Sequence, residues 1–138
     1  LSILIIGMMI FTTDIKSGHD NSLKKIVTSI KQSKSVDEAI YLCPNWMNLG
    51  FAYHYNIEYF KDYKEINAKL NSENIYPIGS ANEINDSILA QKSKIIYLDG
   101  WSKYVDPEGL IFKVFNDNYT NVSTDNSRES IVMHEFSK

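Results

Sequence analysis

Short apolar runs alternate with stretches of helical periodicity along most of this chain, and this alternation constrains the fold more than any other feature. Residues 39–43 and 94–98 have the length and composition of buried strands, whereas Leu23, Ile26 and Ile30 recur at the spacing of one helix face. The predicted helices cover residues 22–33 with Ser22 as N-cap, 46–55, 62–72, a segment capped by Ser80 or Asn82, and a segment that starts at Asp106 and Pro107. The predicted strands cover residues 39–43, 57–60, 74–78, 94–98 and 130–136, and residues 116–128 are predicted to form a loop.

Elements in this order predict an α/β fold, which we expect to be a Rossmann-like three-layer sandwich with a mostly parallel sheet. The last strand is the candidate for an antiparallel position at an edge. With 138 residues in all, residues 14–138 are expected to form a single α/β domain.

Charge and cysteine content exclude several classes of function. The net charge is -3 and the pI is about 5.6, so the chain lacks the basic footprint of a nucleic-acid-binding protein, and no nucleic-acid partner is expected. Its single cysteine excludes an internal disulfide framework and a cysteine-rich zinc site.

The first eleven residues are uncharged and almost wholly apolar, but a membrane-spanning helix needs about 20 such residues. Three interpretations remain open: the end of a transmembrane helix, a buried strand, or the core of a signal peptide. We assign residues 1–13 to one of the first two. The polar stretch 12–22 is typical of a chain leaving a bilayer. Because the sequence starts with Leu1 rather than Met, we expect it to be a piece of a longer or processed polypeptide.

Candidate binding residues follow two of the predicted strands. Ligands of open α/β sheets bind beyond the carboxyl ends of the strands. Asn45 and Trp46 follow the strand at 39–43, and Asp99 and Trp101 follow the strand at 94–98. A tryptophan ring can stack on a sugar face while Asn or Asp binds its hydroxyl groups, which predicts carbohydrate contact. The alternative is that both tryptophans cover the core.

Tyr53 and His54 belong to the aromatic segment FAYHY at residues 51–55, which is followed by Tyr59, Phe60 and Tyr63. Rings of this kind can lie at the level of lipid headgroups if the domain is held near a membrane. They can equally pack against the sheet. Tyr53 and His54 complete the set of predicted ligand contacts.

Motifs for cofactors, metals and nucleophilic catalysis are absent from the sequence. Gly79-Ser80-Ala81 is too short for a dinucleotide fingerprint, and neither a P-loop nor a nucleophile elbow is present. The three histidines are too scattered for a pair of metal ligands. Asp99 is a single acid without a partner, which supports general-base chemistry poorly. We therefore predict no cofactor, no metal and no catalytic residue in this chain.

The order of several segments resembles a known domain. After the apolar start come FAYHY, IYPIG (75–79), KIIYLDGW (94–101), DPEGL (106–110) and a terminal IVMHEF (131–136). The chain from Leu1 to Phe136 resembles the C-terminal extracytoplasmic domain of bacterial polytopic glycosyltransferases related to the dolichyl-phosphate-mannose protein mannosyltransferases, the GT-C class.

The resemblance implies an accessory role. In that class the catalytic acid lies in an early loop between transmembrane helices, which this sequence does not contain, so no catalytic residue is carried over. The resemblance implies a domain on the extracytoplasmic face of the bacterial cytoplasmic membrane, in an enzyme that uses a lipid-phosphate-linked sugar donor. Its implied partners are the membrane part of the same polypeptide and a glycan or lipid-linked acceptor.

The alternative is a free-standing soluble α/β module for ligand binding or interaction. A third hypothesis, a small hydrolase or transferase using Asp99 and Trp101, lacks a nucleophile, base or metal motif.

Overall fold

The computed structural model describes residues 21–127 and 130–138, so the prediction for residues 1–13 lies outside the described part of the chain. The α-helices are α1 (Asn21–Ser33), α2 (Met47–Tyr55), α3 (Ile66–Ser72), α4 (Asp86–Gln91) and α5 (Leu110–Asn118). Short 3₁₀ segments cover Ile57–Glu65, Ala81–Glu83 and Ser102–Tyr104. Within residues 21–127 and 130–138, no helix combines the length and the apolar character needed to cross a membrane.

Five strands form one open sheet: β1 (Glu38–Cys43), β2 (Ile75–Pro77), β3 (Lys94–Asp99), β4 (Thr120–Asp125) and β5 (Val132–Ser137). Their order in the sheet is β2-β1-β3-β5-β4. β1 pairs in parallel with β2 and β3, whereas β5 is antiparallel to both β3 and β4. The α/β class is confirmed, but the sheet is mixed and not mostly parallel.

Both faces of the sheet are covered by helices, because the strand residues alternate between two apolar clusters. On one face Ile40, Leu42 and Ile96 pack with residues of α1, α2 and α3. On the other face Tyr41 and Tyr97 pack with residues of α4 and α5. β1 is therefore buried along its whole length, as its continuous apolar run predicted.

Several predictions about local structure were wrong. The helix predicted with Ser80 or Asn82 as its cap starts at Asp86, and Asn85 caps it. Residues 57–60 were predicted to form a strand, but they belong to a 3₁₀ segment that continues to Glu65. The helix predicted over residues 62–72 therefore starts later, at Ile66, as α3. The polar stretch predicted as a loop contains β4, which pairs with β5. The last strand, β5, is antiparallel to its neighbours as predicted, but it is an interior strand, and the edge of the sheet is occupied by β4.

Candidate functional site

The carboxyl ends of β1 and β3 lie side by side, which brings the two predicted tryptophan loops to the same edge of the sheet. Cys43 and Asp99 are paired in the parallel register of the two strands. Immediately beyond them, the Gly100 N–H donates a hydrogen bond of 2.7 Å to the Cys43 carbonyl. β2 lies on one side of β1 and β3 on the other, so the direction of the connections reverses between β1 and β3. Open α/β sheets bind ligands at such a switch point.

Asn45 and Trp46 form the turn between β1 and α2, directly after a cis peptide bond between Cys43 and Pro44. The Asn45 side chain lies beside Gly79, since a Cβ atom at Gly79 would be 3.6 Å from Asn45 Nδ2. The Trp46 side chain is 55% exposed. Trp46 is therefore not a cover of the core; its ring is open to solvent at the edge of the sheet.

Asp99 ends β3 and organises the loop that carries Trp101. Its Oδ1 accepts a hydrogen bond of 2.7 Å from the Ser102 N–H, and its Oδ2 accepts one of 2.7 Å from Ser102 Oγ. Trp101, between these two residues, has a left-handed backbone with φ 72° and ψ 39°, and its side chain is 58% exposed. Asp99, Trp101 and Ser102 therefore share one structural unit beyond the end of β3, as their sequence positions predicted, but the hydrogen bonds from Ser102 to Asp99 were not predicted.

The two loops touch through Met47, the first residue of α2. A Cβ atom at Gly100 would be only 2.6 Å from Met47 Sδ, so glycine is the residue that permits this close approach. The contact joins the turn of Asn45 and Trp46 to the turn of Asp99 and Trp101. Four of the six predicted ligand contacts are thus brought to one edge of the sheet.

Beneath this edge, a buried thiol and a buried phenol are in contact. Tyr97 lies close to Cys43 and to Ser102, and both side chains influence its pKa. Burial raises the pKa of the Cys43 thiol to about 11; the Tyr97 hydroxyl opposes this shift, and the charges of Asp99, Asp106 and Glu83 add to it. Burial also raises the pKa of Tyr97 far above its ordinary value of 10. Both groups hold their protons at neutral pH, so the Cys43 thiol is not a nucleophile in this environment.

His134 on β5 stands next to Tyr97 on the same face of the sheet. Their rings stack with centroids 5.7 Å apart, and Phe112 meets the His134 ring edge-on at 5.0 Å. His134 Nδ1 is 3.0 Å from Thr124 Oγ1 of β4. Burial lowers the pKa of His134 below its ordinary value of 6.5, and the charge of Asp99 opposes this shift. His134 is therefore a packed, neutral histidine at physiological pH.

Tyr53 and His54 lie away from the Asp99 turn, on α2, which packs on the opposite face of the sheet through Phe51 and Ala52. The Tyr53 ring contacts His54 at 5.2 Å and Phe60 at 6.3 Å. Tyr53 is 57% exposed. These two residues thus belong to an aromatic surface that includes Phe60, beside the edge and not within it.

Exposed apolar side chains are concentrated after the carboxyl ends of β1 and β3. Of the eleven large hydrophobic residues exposed in the described part of the chain, nine lie in residues 46–63 and 101–110. They are Trp46, Leu49, Tyr53, Ile57, Phe60, Tyr63, Trp101, Tyr104 and Leu110. Scattered exposed apolar residues are normal, and among these nine the described ring contacts join Tyr53 to Phe60.

The chemistry of the edge suits binding. Among residues 21–127 and 130–138, no three His, Cys, Asp or Glu side chains are grouped so as to hold a metal ion. The oxygens of Asp99 accept from Ser102, and the Cys43 thiol stays protonated, so neither is arranged as an activated acid–base or nucleophilic pair. The edge does present the exposed rings of Trp46 and Trp101 beside polar side chains, and such groups bind ligands.

Sequence reasoning missed Tyr97 and His134 as parts of this region. One signal was available for Tyr97, because residues two apart on a strand face the same side and Tyr97 is two residues before Asp99. His134 had no local signal, since its position beside Tyr97 depends on the register between β3 and β5.

Comparisons of this chain with protein-family models, with curated proteins and with solved structures find no match.

Proposed function

We propose that this chain is an accessory extracytoplasmic domain of an integral-membrane glycosyltransferase that uses a lipid-phosphate-linked sugar donor, and that its own role is binding, not catalysis. One observation carries the proposal: nine of the eleven exposed large hydrophobic residues in the described part of the chain follow the carboxyl ends of β1 and β3. In this proposal these exposed side chains are covered by a partner. The proposed partner is the membrane part of the same polypeptide, on the outer face of the bacterial cytoplasmic membrane.

The composition of this surface favours a glycan or lipid-linked acceptor as a second contact. Trp46 and Trp101 present large exposed rings, and aromatic rings of this kind stack on the apolar faces of sugars. Asn45, beside Trp46, offers an amide that both donates and accepts hydrogen bonds. Tyr53 and His54 extend the aromatic surface along α2. In this proposal the domain holds an acceptor at the mouth of an active site formed by the membrane part.

The finer fold assignment is also a proposal: a short Rossmann-like three-layer sandwich. The strand order β2-β1-β3, with these strands parallel, is the order found around the switch point of doubly wound folds. Helices on both faces of the sheet agree with it. The antiparallel pair β5 and β4 is the departure from that pattern.

A second candidate is a free-standing soluble α/β module for ligand binding or interaction. It is favoured by the core, because Ile40, Leu42 and Leu98 are completely buried and belong to a cluster with residues of α1, α2 and α3. A domain that buries its central strands in this way has the core of an independently folding unit. In this candidate the same edge binds a ligand without a membrane partner.

The size and cell fraction of the native gene product decide between the two candidates. We would raise an antibody against this domain and probe soluble and membrane fractions of cells that carry the gene. A membrane-embedded polypeptide several times larger than 15.9 kDa is the expected result. A soluble product near 15.9 kDa would overturn the transferase proposal and favour the free-standing module. Sugar transfer by the isolated 138-residue chain would overturn the accessory role in either case.

A further inference from the structure

Trp101 adopts a backbone conformation that a tryptophan avoids. Its φ of 72° lies in the left-handed region, where the Cβ of an L-residue crowds the following carbonyl oxygen. Among the described residues other than glycine, Asn74 also has a positive φ, but asparagine tolerates this region well. A bulky ring with this backbone is an outlier that the surrounding contacts must maintain.

Those contacts come from both sides of Trp101. Asp99 accepts two hydrogen bonds from Ser102, which closes a tight turn around Trp101. The Trp101 carbonyl accepts from the Tyr104 N–H at 3.2 Å, and the Gly100 N–H is bonded to the Cys43 carbonyl of β1 at 2.7 Å. The chain is therefore tied to the sheet just before Trp101, and to the next turn just after it.

The result of this arrangement is an exposed ring on an ordered backbone. An apolar ring the size of indole gains free energy by burial, yet the turn holds the Trp101 side chain 58% exposed. A backbone conformation that opposes both local preference and burial is typical of functional positions.

We infer that Asp99 is a positioning residue that holds Trp101 as a preformed stacking platform for the apolar face of a pyranose ring. The inference rests on the proposed function, and it changes the predicted role of Asp99 from hydroxyl contact to support. Asp99 does not need to touch the sugar, because its oxygens hold Ser102. Since the backbone that carries the ring is fixed before the ligand arrives, binding loses less conformational entropy.

The chain offers a matched control for this turn. Asp125 accepts hydrogen bonds from the N–H and the Oγ of Ser127, the same pair of donors that Ser102 presents to Asp99. Asp125 ends β4 at the same edge of the sheet but two strands from β3, since Met133 of β5 pairs with Leu98 on one side and with Asp125 on the other. Asp125→Ala therefore removes a similar aspartate–serine contact two strands away from the Trp101 turn.

The test uses the 138-residue chain with Trp46→Phe, which leaves Trp101 as its one tryptophan. In this background we would compare Asp99→Ala and Ser102→Ala with Asp125→Ala, without any ligand. The fluorescence anisotropy and near-ultraviolet circular dichroism of Trp101 are expected to fall in the first two variants and to stay unchanged in the third. Ser102→Ala keeps the Asp99 charge and the backbone hydrogen bond, so it remains informative if Asp99→Ala fails to fold. Equal Trp101 signals in Ser102→Ala and Asp125→Ala would overturn the positioning role.

Binding is then measured by titrating each variant with methyl α-D-mannopyranoside and methyl β-D-glucopyranoside. Trp101→Ala is expected to abolish binding, and Asp99→Ala to weaken it about tenfold through lost preorganisation. Failure of both glycosides to bind the 138-residue chain that retains Trp46 and Trp101, measured by titration calorimetry, would overturn the pyranose assignment. Glycoside binding by a native product that proves small and soluble would keep this inference while overturning the membrane transferase.

Discussion

The side chain of Cys43 has no exposed surface, and burial raises the pKa of its thiol to about 11. Because the thiolate is the reactive form, the native protein is expected to react with an aromatic disulfide reagent at pH 7.5 roughly a hundredfold more slowly than a free thiol. Absorbance of the released thiolate measures this rate. Protein unfolded in guanidinium is the control and should titrate one thiol at the ordinary rate, since the chain has a single cysteine. Rapid labelling of the native protein would contradict the buried position.

His134 makes stability depend on pH in a window below 6.5, because burial lowers its pKa in the folded protein. Above pH 6.5 the ring is neutral in both folded and unfolded protein, and it contributes no pH dependence. As the pH falls below 6.5, the unfolded chain takes up the proton first, so the free energy of unfolding decreases until the folded pKa is reached. His134→Phe is expected to remove this decrease.

Urea unfolding of both proteins at pH 7 and pH 5 measures the effect. Phenylalanine suits the site, since Tyr97, Phe112 and Phe136 all contact the ring. The variant loses the Thr124 contact, which costs about 1 kcal/mol at both pH values and cancels in the comparison. The same decrease from pH 7 to pH 5 in both proteins would show that His134 is not its source.

At the scale of elements, Asp106 fixes the start of α5. The sequence predicted a helix that begins at Asp106 and Pro107, whereas α5 begins at Leu110 with Gly109 in the left-handed conformation before it. The Asp106 carboxylate accepts from the N–H groups of Leu110 and Ile111 at 2.9 and 2.8 Å, so it does cap the helix, from one turn further away than predicted.

Asp106→Ala is expected to lower the free energy of unfolding by about 1–2 kcal/mol, because two N–H groups at the helix start lose their acceptor. Asp117→Ala on the same helix is the matched control, since it removes only an exposed pair with Lys113 and should change stability by less than about 0.5 kcal/mol. Urea unfolding at pH 7 measures both variants. Equal losses in the two would contradict the capping role.

β4 shows why the elements of this chain are only partly predictable. Its sequence, TNVSTD, has no apolar alternation because it lies at the edge of the sheet and most of its residues are exposed. Tyr119, just before it, is anchored by hydrogen bonds from its hydroxyl to the carbonyls of Leu89 and Lys92. The strand therefore forms through its anchor and its pairing with β5, neither of which is a local property of residues 120–125.

At the scale of the whole molecule, the central strands are predicted to be the most stable part. β1 and β3 are paired on both sides and covered on both faces, whereas β4 pairs only with β5 among the described strands. Amide hydrogen exchange should be slowest at residues 40–42 and 96–98, and at least about a hundredfold faster in β4. Mass spectrometry of peptic fragments resolves the two regions, and a chain unfolded in denaturant supplies the unprotected reference. Uniform protection would mean that the molecule opens only as a whole.

The sequence alone determined the α/β class, the two central strands and the residues at their carboxyl ends. These depend on local composition: the continuous apolar runs before Cys43 and Asp99 predict buried strands, and such strands place the residues after them at one edge. The positions of Asn45, Trp46, Asp99 and Trp101 at that edge follow from this pattern and from strand adjacency.

Only the tertiary structure decided the strand order, the mixed direction of the sheet and the roles of side chains at its edge. The Ser102 hydrogen bonds, the left-handed backbone of Trp101 and the stacking of His134 on Tyr97 depend on loop closure and on the β3–β5 register. Pairings between distant segments carry no local periodicity, because their free energy comes from contacts that exist only after the sheet has formed.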